Sequence, residues 1–307
     1  MTSSSDSDAL NHQYANDVYL KIRQDIHQQY SVPKVDFPQW VVSRIQWRGD
    51  ESILDVGSGS GAYFDSLRSR LPDLKYSALD RSWGMLTTHN ARTRLFAGDV
   101  QHIPFADGSF DVIMANHMLY HVPDIDLGIR EIKRVLKPDG VLMASTNSIQ
   151  TMREFLALLN RGLLLLSTPG HIYKRPMQPD STRFSLENGA RQLSKHFYAV
   201  VRHDLPSELV FPKLEPVMAY MESLRSFREP QLPRGVFWDD LMLIVREQIS
   251  RAINHSGELK VEKLSGVLIA SSSGGFIHDF VSIQGKKHAN GGSLGESTSL
   301  PVNSDAD

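Results

Sequence analysis

The sequence predicts an α/β fold, a doubly wound sheet with helical additions, and three observations carry that expectation. Ile53-Leu54-Asp55-Val56 reads as a short buried strand running straight into Gly57-Ser58-Gly59-Ser60-Gly61, a turn nearly stripped of side chains. A second apolar run, Tyr76-Ser77-Ala78-Leu79, ends at Asp80, about 20 residues beyond the glycines, where doubly wound sheets place a ribose-binding carboxylate. Further short apolar runs then alternate with helical patterns along the chain, as strands and crossover helices do.

Taken in order, residues 1–9 are polar and read as disordered. A helix follows over about 11–30, with Tyr14, Val18, Ile22 and Ile26 roughly one turn apart. Residues 1–36 are expected to form this start and a helical lid. Pro33 and Pro38 separate it from a second helix near 39–45. Strands are expected near 52–56, 75–79, 94–98, 111–115 and 140–146, within a cofactor domain of residues 37–147. A helical insertion or cap spans 148–195, with Met152, Phe155, Leu156, Leu159 and Leu163 at helical spacing. Residues 196–283 hold a sixth strand (196–202) and a seventh (266–271), with a further helical insertion at 212–260. From about 284 to 307 the chain turns Gly/Ser-rich and polar, which reads as a flexible tail.

Glycine lets the main chain approach a ligand closely and adopt positive φ. A helix beginning just after the turn points free N–H groups at anionic groups. Gly57-x-Gly59-x-x-Ala62 also satisfies the dinucleotide fingerprint, so the loop alone leaves two nucleotide readings open. Asp80 fits both, because an ionised carboxylate can accept from two vicinal hydroxyls. A dehydrogenase would want Tyr-x-x-x-Lys, and that spacing occurs at Tyr30…Lys34, upstream of the loop and interrupted by Pro33.

The third block separates the readings: Gly98-Asp99-Val100-Gln101-His102-Ile103-Pro104-Phe105, then Phe110-Asp111-Val112-Ile113-Met114-Ala115-Asn116-His117-Met118-Leu119-Tyr120-His121-Val122-Pro123-Asp124. With Asp55 to Gly61, Leu79 to Leu86 and Leu136-Lys137-Pro138-Asp139-Gly140, this resembles a class I S-adenosylmethionine-dependent methyltransferase of the small-molecule "type 11" family, over about residues 50–147. The resemblance implies a Rossmann-like seven-stranded sheet with an antiparallel last strand. It implies S-adenosyl-L-methionine as cofactor, with Asp55, Gly57, Gly59 and Gly61 around its methionine portion and Asp80 on the ribose. Arg81 and Met85 would flank the adenine, Asp99 would accept from its amino group beside Val100, and Asn116 would offer its backbone carbonyl to the ammonium. Ser58 and Ser60 stand where the family often has Cys and Thr, and Arg81 where an apolar residue is usual. The stretches Tyr14…Tyr30-Ser31 and Phe184-Ser185-Leu186-Glu187-Asn188-Gly189 resemble a bacterial subgroup of these enzymes.

The expected activity is methyl transfer to an O, N or C atom of a small-molecule acceptor. His117 and His121, just beyond strand four, are the candidate catalytic bases, with Tyr120 as an orienting group and His171 in the first insertion. The alternatives are a macromolecular (RNA or protein) methyltransferase and a cofactor-binding protein without methyl transfer. A formal net charge of −2 provides no global basic field for nucleic acid, and Asn116-His117-Met118-Leu119 stands where an Asn/Asp-Pro-Pro-Tyr/Phe motif would be. The chain has no cysteine, which excludes disulfides, thiolate metal sites and thiol-dependent methylations. No metal site is expected. The longest pure aliphatic run of the first insertion, Leu163 to Leu166, is far short of a membrane span, and the polar N-terminus shows no signal peptide, so a cytoplasmic enzyme is expected.

Overall fold

The computed structural model describes residues 18–92, 94–167 and 177–273; the polar start, His171 and the tail from 284 lie outside them. The strands are β1 (Ser31–Val32), β2 (Ser52–Val56), β3 (Lys75–Asp80), β4 (Leu95–Ala97), β5 (Phe110–Met114), β6 (Leu136–Asn147), β7 (Ala199–Phe211) and β8 (Leu259–Ser271). They form a mixed sheet in the order β1-β7-β8-β6-β5-β2-β3-β4. Strands β2 to β6 pair in parallel, while β8 runs antiparallel to β6. The seven expected strands are present, joined by the two-residue β1 antiparallel to β7. That pairing is too short to leave a periodic signal.

The chain divides into two compact units. The first comprises Phe37–Ile149, Ser181–Leu205 and the stretch from Ser265. Its central strands are apolar on both faces, as parallel strands covered by helices must be. Side chains alternate across the sheet. Leu54, Val56, Ile113 and Leu142 join the core that contains Ile129, Ile132 and Val135 of the helix Ile125–Val135. Ile53, Val112, Met114 and Met143 join a second core with Val41, Val42 and Leu67 from the helices Phe37–Val42 and Phe64–Arg70. Asp124 caps the helix Ile125–Val135 by accepting from the Leu127 amide at 2.9 Å. The successive strand-to-helix turns therefore gather at the carboxyl ends of β2, β3, β4 and β5.

The second unit comprises Gln150–Asp180, Pro206–Leu264 and the N-terminal stretch up to Asp36. The N-terminal helix (described as Val18–Tyr30) and both insertions, read separately in the sequence, here share one core. Ile26, Phe155, Leu159, Leu163, Phe211, Met221, Trp238 and Leu241 are buried in it. Arg23 donates to the Ser223 carbonyl at 2.9 Å, so the N-terminal helix is built into this unit rather than held apart from it. The helices Arg153–Leu166 and Trp238–Ser256 come close at Gly162, where a Cβ would lie 2.6 Å from Leu241 Cδ1. Among the described residues, no helix is long and apolar enough to cross a membrane.

Candidate active site

The glycine turn follows β2 with Gly57, Gly59 and Gly61 at φ of 65°, 56° and 86°, conformations that suit glycine. Their surroundings differ. A Cβ at Gly57 would lie 2.7 Å from Met118 Cβ, and one at Gly61 would lie 2.5 Å from the His89 ring. At Gly59 the nearest atom is the flexible Met85 methyl at 3.3 Å. Packing therefore demands the outer glycines, while the middle one leaves its backbone open to close approach.

At the end of β3, Asp80 accepts from the Gly59 amide and the Ser82 amide, each at 2.8 Å. Burial raises its pKa, and these two amides together with the Arg81 charge work against that rise. A carboxylate offers about four acceptor positions, so Asp80 keeps capacity to accept from a ligand hydroxyl beyond its backbone partners. Arg81 is exposed beside it, and Met85 is buried beneath Gly59. The Gly98 amide donates to the Asp80 carbonyl at 3.0 Å, which brings Gly98-Asp99-Val100 alongside. Asp99 is half-buried and held by the amide of Gln101 at 2.9 Å and by its side chain at 3.2 and 3.1 Å. Val100 packs into the core. The structure thus gathers Gly59, Asp80, Met85, Asp99 and Val100 at adjacent strand ends.

On the other side of β2, the backbone continues to pair with β6 past the end of β5, with the His117 amide donating to the Ser145 carbonyl at 2.9 Å. Ser145 Oγ donates to Asn116 Oδ1 at 2.8 Å and lies 3.3 Å from the Tyr63 hydroxyl. With its proton committed to Asn116, Ser145 accepts from Tyr63. Asn116 Nδ2 and Ser58 Oγ are both buried and have no partner among the described residues. Buried polar groups are rarely left unpaired. Two of them at the ends of neighbouring strands, beside an open glycine and a partly satisfied carboxylate, fit a polar nucleotide cofactor.

Asp55 lies beneath the turn, 1% exposed. The Tyr76 hydroxyl donates to its Oδ2 at 2.9 Å and sits 3.2 Å from His89 Nε2. His89 Nδ1 accepts from the Ala91 amide at 2.9 Å, so the ring proton resides on Nε2 and points to Tyr76. Asp55 therefore shapes the turn from below, through a buried chain that ends against Gly61. Tyr76 and His89 escape sequence reasoning because Tyr76 reads as one more strand residue and His89 lies in the polar run Thr87-Thr88-His89-Asn90. Burial raises the Asp55 pKa from 3.8 to about 7, and Asp80 adds to the rise. The unfolded carboxyl thus ionises near 4 and the folded one near 7, so rising pH destabilises the fold across that window and not above it. Asp55→Asn retains an acceptor for Tyr76 without the charge. Its Tm relative to wild type is expected to climb between about pH 4 and 7, at about 1.4 kcal/mol per unit and roughly 2–4 °C per kcal/mol, then level off. A Tm difference independent of pH would contradict this.

The candidate bases are placed unequally. His117 has φ of 52°, a left-handed conformation that costs about 1–3 kcal/mol and tends to occur at functional positions. Its ring lies 5.3 Å from Phe37, which stacks on Trp40 at 5.7 Å. His121 closes the short turn Leu119–His121, edge-on to Tyr120 at 4.4 Å. Burial, then the charges of Arg183 and Arg81, lower its pKa to about 4, so it stays neutral and accepts a proton poorly. Asn188 in the Phe184–Gly189 segment is structural: its Oδ1 accepts from the Ser185 amide at 2.9 Å and its Nδ2 donates to the Thr182 carbonyl at 2.8 Å. A Cβ at Gly189 would lie 2.5 Å from Leu268. Among the described residues, no His, Asp or Glu cluster could hold a metal.

Residues 54–144 match the family described as "Methyltransferase domain". A malonyl-[acyl-carrier protein] O-methyltransferase of Methylovorus sp. is 34% identical over 119 residues, covering 35% of this chain and 40% of its own length. One from Xylella fastidiosa is 27% identical over 197 residues, covering 61% and 62%. The chain thus spans about 40% of the length of the first of these relatives and 62% of the second. An Anabaena variabilis protein described as a methyltransferase from an antibiotic biosynthesis pathway shares the fold at a TM-score of 0.53 and 16% identity, over 78% of this chain and 98% of its own. Haemonchus contortus phospholethanolamine N-methyltransferase 2, solved with S-adenosylhomocysteine, gives 0.51 and 15%, over 87% and 60%. Residues 54–144 thus match a methyltransferase domain, and the chain shares the α/β, Rossmann-like fold of these methyltransferase structures. The cofactor of such a domain is S-adenosyl-L-methionine.

Proposed function

We infer that this protein transfers the methyl group of S-adenosylmethionine to a small-molecule acceptor, and that the acceptor atom is an oxygen of a carboxylate. The observation that carries the first part is the pair of unpartnered buried groups, Ser58 Oγ and Asn116 Nδ2, beside Gly59 and Asp80. When bound, the cofactor supplies an electrophilic methyl on a positively charged sulfur that leaves as a neutral thioether. In this reading Asp80 takes the ribose hydroxyls, Met85 and Arg81 flank the adenine, and Asp99 with Val100 meets its edge. Asn116 and the turn of Gly57, Gly59 and Gly61, which Asp55 shapes from below, meet the methionine portion. The protein's chief contribution is alignment and exclusion of water, for which effective molarities are worth about 7–11 kcal/mol.

The second part rests on the surroundings of the histidines. A carboxylate is already deprotonated at neutral pH and needs no general base. His121 is held neutral with Arg183 and Arg81 near enough to depress its pKa, so this end of the sheet favours an anion and offers little basicity. The malonyl-[acyl-carrier protein] O-methyltransferases among the relatives are named for chemistry of this kind. His117, on its aromatic support, then serves to position the acceptor.

S-adenosylhomocysteine is expected to bind in calorimetry and NAD is not. Tight NAD binding without S-adenosylhomocysteine binding would overturn the assignment. Incubation with S-adenosylmethionine and either malonyl thioesters or a metabolite extract, followed by mass spectrometry, should reveal an acceptor heavier by one CH2. A methylated amine, or a methylated macromolecule, would replace the carboxylate reading.

A further inference from the structure

We propose that Asn116 and Ser58 form a two-donor clamp for a carboxylate, with Ser145 and Tyr63 as the residues that orient it. The proposal rests on the methyl-transfer reading and goes further by assigning the side chains, not only the backbone, of this segment.

Asn116 and Ser58 are 8% and 9% exposed, and among the described residues their Nδ2 and Oγ have no hydrogen-bond partner. The direction of the Asn116 amide follows from its neighbours. Ser145 donates to Oδ1 at 2.8 Å and, being 3.3 Å from Tyr63 Oη, receives the tyrosine proton in return. The carbonyl end is therefore occupied and the NH2 end is left to donate. Asp55 pairs with Met114 in the sheet register, so Gly57 and Asn116 leave β2 and β5 at the same level and Ser58 follows by one residue. A Cβ at Gly57 would collide with Met118 at 2.7 Å, which shows how closely the two turns approach.

The class of ligand follows from these donors. An ammonium is itself a donor and cannot satisfy Asn116 Nδ2, whereas a carboxylate presents two oxygens to two donors and gains from charge-assisted bonds. A serine at position 58 adds the hydroxyl of the pair. Two carboxylates could occupy the clamp: that of the cofactor's amino-acid portion, or that of the acceptor.

The test uses the full chain, calorimetry and three probes: S-adenosylhomocysteine, 5′-methylthioadenosine, which lacks the amino-acid portion, and malonate. Each charge-assisted bond lost should weaken the relevant affinity by about 10- to 100-fold. Asn116→Asp, which replaces the donor with an anion, should weaken it more than Asn116→Ala. Ser58→Ala should follow the same probe as Asn116→Ala, and Ser145→Ala should have a smaller effect. If S-adenosylhomocysteine loses affinity while 5′-methylthioadenosine does not, the clamp holds the cofactor's carboxylate. If S-adenosylhomocysteine is unaffected but malonate binding to the S-adenosylhomocysteine-saturated protein is lost, it holds the acceptor's. Unchanged binding of all probes in folded Ser58→Ala and Asn116→Ala variants overturns the clamp, as does tighter S-adenosylhomocysteine binding by Asn116→Asp. Failure of the wild type to bind either nucleoside overturns the methyl-transfer reading itself and the clamp with it.

Discussion

Gly59→Val is expected to abolish S-adenosylhomocysteine binding, a loss of at least about 100-fold, while leaving a folded protein. Gly59 has φ of 56°, where a β-branched residue is a genuine outlier and costs about 1–3 kcal/mol. Among the described residues, the only atom within 4 Å of the new Cβ is the Met85 methyl at 3.3 Å, which can move aside, so the fold should survive with a lower Tm. The open backbone above Met85 would be filled, and any shift of the Gly59 amide would loosen its 2.8 Å bond to Asp80. Gly61→Ala provides the contrast. Its Cβ would meet the His89 ring at 2.5 Å, and Tyr76 and the Ala91 amide hold that ring in place. That variant should lose stability first and binding as a consequence. Differential scanning fluorimetry with and without S-adenosylhomocysteine reads both effects. A folded Gly59→Val protein stabilised by ligand as the wild type is would make the loop a structural turn only.

The contrast between these two glycines also shows where the sequence is legible. The strand-glycine turn, the carboxylate at the end of β3 and the block after β4 have fixed spacings because each belongs to one strand end, and strand ends are the best-marked points of a doubly wound sheet. The reason for each glycine is not in the spacing. Gly57 and Gly61 are dictated by Met118 and His89, which are 61 and 28 positions away and meet them only in the folded unit. The same holds for Asn116. Its place after β5 is readable, but the orientation of its amide depends on Ser145 and Tyr63 from two other elements. From sequence the second unit reads as a lid and two insertions because each piece has its own helical period. That Ile26, Phe155 and Trp238 share one core is a long-range packing fact that periodicity does not encode. His121 is set apart by burial and by the charges of Arg183 and Arg81, which hold it neutral, and His117 by its left-handed backbone, neither of which spacing encodes.

Asp80→Ala is expected to weaken S-adenosylhomocysteine binding by about 100-fold or more, since two charge-assisted hydrogen bonds to hydroxyls are each worth about 1.5–3 kcal/mol. The substitution also removes the acceptor for the Gly59 and Ser82 amides, so part of any loss could come from a slackened turn. Asp80→Asn separates the contributions. Its single carbonyl oxygen can still accept from one of the two amides, while the charge and half of the acceptor capacity are gone. A ligand without the ribose hydroxyls provides the second axis. If Asp80 holds those hydroxyls, the penalty of Asp80→Asn should shrink to a few-fold when 2′,3′-dideoxy-S-adenosylhomocysteine replaces the parent compound, as expected for a double-mutant cycle between contacting groups. If the penalty is the same for both ligands, Asp80 serves the turn and not the ribose. Wild-type affinity in a folded Asp80→Ala variant would remove the residue from the site altogether.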